Sequence, residues 1–163
     1  MIRYVQLAAL CAAIIFLQTA CASGASGASG ARVSDFSDVK DKDWKLTEVR
    51  DVKKNVIFQR SMLKQEVPGV VFTLRFDAER VNGAGCPNRY FAPYTLAEKQ
   101  AISIQPIAST LMLALSEPEQ LKERDFFAYL EKADQWNLVN GNLELRSKNN
   151  EGAEVLLVFS LTD

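Results

Sequence analysis

The residues that could do chemistry are few, because the chain has no histidine. Ser-His-Asp and Cys-His nucleophile pairs are excluded with it, as is any imidazole metal site. What remains is a cysteine, Cys86, in "GAGCPNRYFAPY" (residues 83–94), and 20 acidic residues along the chain. A guanidinium such as that of Arg89 beside a thiol favours the thiolate, so this pair is a candidate reactive group. The competing reading makes Cys86 a small buried hydrophobe. A lone cysteine cannot build a structural zinc site. Gly83 and Gly85 complete neither a dinucleotide fingerprint nor a phosphate loop, since no helix follows them. A glycosidase-type carboxylate pair needs two acids in contrasted surroundings. Glu144 alternates with Leu143 and Leu145 and is expected to face solvent. The expectation is a protein with no catalytic residue, no metal and no cofactor.

The same loop can be read structurally. Gly83 or Gly85 is expected to adopt positive φ and shape a turn between strands, so that Gly85→Ala would cost on the order of 1 kcal/mol.

Chemistry at the other end of the chain is of a different kind. "MIRYVQLAALCAAIIFLQTACAS" opens the sequence, with Arg3 followed by an uninterrupted apolar run from Leu7 to Leu17. Eleven apolar residues are about half of what a membrane-crossing helix needs, and they suit the core of an export signal. Thr19-Ala20-Cys21 then has the small-small-cysteine ending of a lipoprotein signal, which makes Cys21 the expected lipidated N-terminus. Gln18 stands where an aliphatic residue is preferred. Ala20-Cys21-Ala22 also offers a cut that would release a soluble secreted or periplasmic protein. "SGASGASGA" (23–31) follows. Small residues without a hydrophobic pattern form a flexible linker, and a tether is what an anchored domain needs.

The domains expected are therefore a signal over 1–20, the lipidation site and linker over 21–42, and a folded domain over 43–163. Of three cysteines, Cys11 leaves with the signal and Cys21 takes lipid, so Cys86 has no internal disulfide partner. Removing Arg3 with the signal lowers the formal charge from −1 to −2. A mildly acidic body without a basic block is no nucleic-acid binder.

The elements that must position these residues are mostly strands. "WKLTEVR" (44–50), "NVIFQ" (55–59) and "GVVFTLRFD" (69–77) carry strand patterns, the last with Phe72, Leu74 and Phe76 on one face. "RYFAPYTL" follows the glycine loop, where Pro93 marks an edge or a bend, and "AISIQPI" (101–107) alternates. Ser116 and Glu119 form a capping box before "EPEQLKERDFFAYLEKA", which predicts a helix with Leu121, Phe126, Phe127, Leu130 and Ala133 toward a sheet. "QWNLV", "LELRS" and "EVLLVFS" close the chain, the first two joined by an Asn140-Gly141 hairpin turn. About seven strands and one helix make an α+β fold, a strongly curved antiparallel sheet or open barrel with the helix packed on it.

The segment "RVNGAGCPNRYFAPYTL" resembles the signature of the META-domain (HslJ-like) family, on Gly83, Gly85, Cys86, Asn88, Arg89 and Tyr90. Trp44 and Leu46 resemble the family's opening Trp-x-Leu, and "IASTLM" (107–112) its Ile-x-x-Thr-x-Met segment. The likeness covers residues 44–160. Pro87 departs from it as an insertion. Ala114 stands where many members carry a second cysteine, so a disulfide from Cys86 to that place is ruled out. The resemblance implies a small exported or lipid-anchored protein without catalytic activity, associated with envelope integrity or stress tolerance and facing the periplasm. Ala22 after the lipidated cysteine is compatible with the outer membrane. An envelope protein partner is a candidate. The architecture also resembles pilotin lipoproteins, which gives a second class: a chaperone that takes a secretin segment or a lipid chain in an apolar groove. Phe126, Phe127, Tyr129 and Trp136 are the candidate groove residues, against a plain reading as helix-to-sheet core.

Overall fold

The structure is a computed structural model that describes residues 35–63 and 71–162. The signal and Cys21 lie outside the described residues, as does the stretch 64–70. Those that are described belong to one compact unit, Val33–Asp163.

Ten strands and one helix are found among them: β1 (Trp44–Asp51), β2 (Val56–Gln59), β3 (Thr73–Phe76), β4 (Arg80–Ala84), β5 (Arg89–Ala97), β6 (Ala101–Ile104), β7 (Ala108–Ser109), α1 (Glu123–Glu131), β8 (Gln135–Val139), β9 (Asn142–Lys148) and β10 (Glu154–Leu161). Every pairing is antiparallel. The order β10-β9-β8-β6-β5-β4-β3-β1 closes on itself through β1 and β10, an eight-stranded barrel with β2 and β7 added outside the ring. Closure removes the exposed sheet edges that an open barrel would leave.

Alternation fills the interior. Trp44, Leu46 and Val49 of β1 face inward, as do Leu74 and Phe76 of β3, Leu143 and Leu145 of β9 and Leu157 and Phe159 of β10, all buried. The two ends are stoppered by aromatic rings. At one end Phe126 of α1 lies 5.1 Å from Phe72 between ring centres. Four residues along, roughly 13 Å at strand rise, Phe36 meets Phe76 at 5.2 Å, Trp136 at 5.0 Å and Tyr94 at 5.7 Å. Phe36 sits in a 3-10 turn capped by Asp35, whose side chain accepts the Ser37 N–H. Residues 35–42, read from sequence as linker, are thus part of the folded body, and Val39 is fully buried.

The Asn140-Gly141 turn forms as expected, with both residues at positive φ (52° and 80°), as a two-residue hairpin with right-handed strand twist requires. Pro93 lies inside β5, where the strand passes from pairing β7 at Tyr90 and Phe91 to pairing β6 from Tyr94 onward. At that changeover the ladder asks for no N–H.

The helix departs from expectation at its start. It begins at Glu123, with Lys122 as a cap residue that makes no side-chain bond, and Ser116 lies outside it. Pro118 and Leu121 are buried, which pins residues 117–122 as an irregular strap over the barrel. Burial of those two outweighs a local capping box. Glu117 supplies the cap instead: its Oε1 accepts the Glu123 N–H at 3.2 Å.

Candidate functional site

The signature residues lie at the end of β4, in the hairpin that follows it, and at the start of β5. The Cys86–Pro87 peptide bond is cis. Gly83 and Gly85 do not have positive φ; among the described glycines only Gly141 and Gly152 do. The expected turn geometry is therefore absent, and the reason for glycine is space. A Cβ on Gly83 would collide with the Thr73 carbonyl oxygen. That carbonyl is turned over Gly83 to accept the Tyr90 hydroxyl at 2.9 Å. A Cβ on Gly85 would strike the Glu123 carboxylate and lie 2.8 Å from Phe127 Cζ. Two glycines let a carbonyl and a helix terminus approach the loop.

Glu123 is the centre of what those approaches allow. Its Oε1 accepts the Cys86 N–H, by a very short contact, and the Asn88 N–H at 2.7 Å. Its Oε2 accepts Asn88 Nδ2 at 2.7 Å. Asn88, 7% exposed, then turns its other end to the stretch that follows β7: Oδ1 accepts the Thr110 hydroxyl at 2.8 Å and the Met112 N–H at 2.6 Å. Nδ2 also donates to the Met112 carbonyl at 3.2 Å. Arg89 and Thr110 add a backbone bond at 3.0 Å and an Arg89 N–H to Thr110 hydroxyl bond at 3.2 Å. The result is a clasp that joins three separated segments: the glycine hairpin, the Ile-x-x-Thr-x-Met stretch and the N-terminus of α1. A carboxylate there also suits the positive end of the helix. Among the described residues no buried side-chain nitrogen or oxygen lacks a partner.

Cys86 is buried within the clasp, and its thiol donates weakly to the Ser116 carbonyl at 3.6 Å. Burial pushes its pKa up, and the carboxylates of Glu117 and Glu123 add to the shift against a smaller effect of Lys122. Of the two readings of Cys86, the buried small hydrophobe is the one the structure has. Arg89 is exposed and does not act on the thiol, whereas the nearby acids disfavour a thiolate.

Phe72 completes the site. It is fully buried with φ of 51°, a left-handed conformation that a bulky side chain rarely adopts. Bonds on both sides hold it: its N–H donates to the Gly85 carbonyl at 3.1 Å and its carbonyl accepts the Leu46 N–H at 2.9 Å. The Arg60 guanidinium reaches the same corner, donating to the carbonyls of Leu46 and Val71 at 2.5 Å each.

A family model for the META domain matches residues 37–160. The chain belongs to the META-domain family. In this META domain the glycine hairpin and the Thr110–Met112 stretch meet in the clasp and Leu46 bonds to Phe72 beside it, whereas Trp44 donates its Nε1–H to the Val39 carbonyl. A solved NMR structure of a protein from Burkholderia xenovorans has the same fold, with a TM-score of 0.54 at 18% identity over 76% of this chain and 83% of that one. No curated protein matches the sequence.

The candidate groove residues fall in two places. Phe126, Tyr129 and Trp136 are buried in the core. Phe127 is partly exposed and, with Asn88, Thr110, Met112, Glu123 and Arg124, edges a shallow depression of about 410 Å³. Sequence reasoning missed Glu123, which carries the clasp. The only signal was an acid at a helix start, and the start itself was placed six residues too early.

Proposed function

We propose that this META-domain protein is a lipid-anchored, non-catalytic component of the bacterial envelope that acts in envelope integrity or stress tolerance. The observation that carries the reading is how the signature residues are employed. Gly83 and Gly85 make room, Asn88 and the Cys86 N–H are taken up by Glu123, and Tyr90 braces Thr73. The residues that mark the family are engaged in holding the barrel together, so what the protein does depends on its surface and its location. Location is what the N-terminus supplies, through the export signal, Cys21 and the "SGASGASGA" tether. Membership of the META-domain family, which is associated with the envelope and with stress, supports the same reading. Ala22 after the anchor favours the outer membrane, with the domain facing the periplasm.

The pilotin-like alternative calls for an open apolar groove, and with Phe126, Tyr129 and Trp136 in the core no observation favours it. The test is metabolic labelling with an alkyne fatty acid. The wild-type chain is expected to be labelled and to fractionate with membranes, and Cys21→Ser to lose the label and pass largely to the soluble fraction. Labelling that survives Cys21→Ser, or a wild-type chain found unlabelled in the soluble fraction, would overturn the anchor.

A further inference from the structure

Beside the clasp stands a run of exposed apolar side chains that no described residue covers. Leu111, Met112, Leu113 and Leu115 are 98%, 62%, 85% and 96% exposed. They belong to the irregular stretch between β7 and α1, yet the stretch is fixed in place. Met112 is held by both its N–H and its carbonyl to Asn88, and Thr110 by its hydroxyl to the same side chain. The clasp therefore presents these side chains at a defined point on the surface, and Ala114 between them adds no polar group.

We infer that Leu111, Met112, Leu113 and Leu115 form a membrane-dipping tip, which lays the domain against a lipid bilayer with these side chains at the boundary between headgroups and acyl chains. The occupant is argued from composition first. Energetic centres of protein interfaces are rich in Trp, Tyr and Arg and poor in Leu. This tip is leucine and methionine alone. A bilayer accepts aliphatic groups without a matching pocket. Exposure points the same way, because Leu111 and Leu115 are 98% and 96% exposed, Leu111 standing at the rim of the open depression beside Phe127.

The third argument is the tether, and it rests on the anchor reading above. Fourteen residues, 21–34, run from the expected lipid site up to Asp35. The folded body is entered at Phe36, which packs on Tyr94. The tip lies by Arg89, five residues back along β5, or roughly 17 Å at strand rise. If the linker reading of "SGASGASGA" holds, fourteen residues span on the order of 20 Å, enough for the tip to face the bilayer that holds the anchor.

The test uses the full mature chain on phosphatidylcholine vesicles, with a nitroxide on Leu113→Cys and a control nitroxide on Glu151→Cys in the β9–β10 turn. Buried Cys86 remains unlabelled. On vesicles the label at 113 is expected to become accessible to oxygen and shielded from a water-soluble nickel complex, while the label at 151 stays open to nickel. Salt should change this little, since no charge drives it. In the Cys21→Ser background the chain is expected to keep weak vesicle binding. Leu111→Ser, Leu113→Ser and Leu115→Ser together should reduce that binding by tenfold or more, with the unfolding midpoint unchanged. A vesicle-bound chain whose label at 113 stays open to nickel overturns the tip and leaves the anchor standing. Loss of fatty-acid labelling with retained shielding overturns the anchor and leaves the tip. Shielding that appears only when another envelope protein is added would make the tip a protein contact and overturn the proposal.

Discussion

Glu123 and Asn88 hold each other through two parallel bonds, Asn88 N–H to Oε1 and Asn88 Nδ2 to Oε2, each 2.7 Å long. The residues are 35 apart in sequence, and the bond pair fixes the hairpin to the helix terminus. Charge-assisted bonds of this kind are about twice as strong as neutral ones. Glu123→Ala would strand the N–H groups of Cys86 and Asn88 in a buried place. The expected loss is about 3 kcal/mol or more in urea unfolding, with Glu123→Gln intermediate because it keeps one acceptor oxygen.

The glycines are predicted to differ. Gly83→Ala meets a backbone carbonyl that is itself held by Tyr90, so nothing near it can yield. Gly85→Ala meets the side chains of Glu123 and Phe127, which can shift at the expense of the clasp. Losses of about 3 and about 1–2 kcal/mol are expected, read as a larger fall in unfolding midpoint for Gly83→Ala. Equal losses would return the argument to backbone conformation.

Cys86 should be inert in the native state. In a chain where it is the sole thiol, a maleimide is expected to react only as fast as the protein unfolds, and at full speed in denaturant. Rapid native labelling would contradict the burial and the raised thiol pKa.

Base should unfold the protein through its tyrosines. Burial raises the pKa of Tyr90 well above 10.0, and raises those of Tyr94 and Tyr129 as well, with Asp77 and Asp125 adding to the last two. The folded state thus holds these protons more tightly than the unfolded chain. Their contribution to stability is fully present below the unfolded value near 10.0 and is lost as pH rises above it. Tyrosinate absorbance and loss of near-ultraviolet circular dichroism are expected to rise together above pH 10, and Tyr90→Phe should separate them in part.

How much of this could be read from residues alone follows from the range of the forces involved. Strand alternation at Leu74 and Phe76 and the turn at Asn140-Gly141 are local, and both were legible. The helix start was not, because the burial of Pro118 and Leu121 is set by the barrel and outweighs the Ser116–Glu119 box. β4 was hidden because its glycines read as a loop, whereas Gly83 pairs with Tyr90 inside a ladder. The signature loop was recognisable as a motif. Its reason lay in Glu123, whose partners are 35 and 37 residues away.

The central claim is that the signature loop is a clasp whose members depend on one another. A double-mutant cycle on Glu123→Gln and Asn88→Ala, followed by urea unfolding, tests it most directly. Coupling of about 2 kcal/mol is expected, so that the double variant is barely less stable than the worse single one. Losses that simply add, with coupling near zero, would contradict the claim.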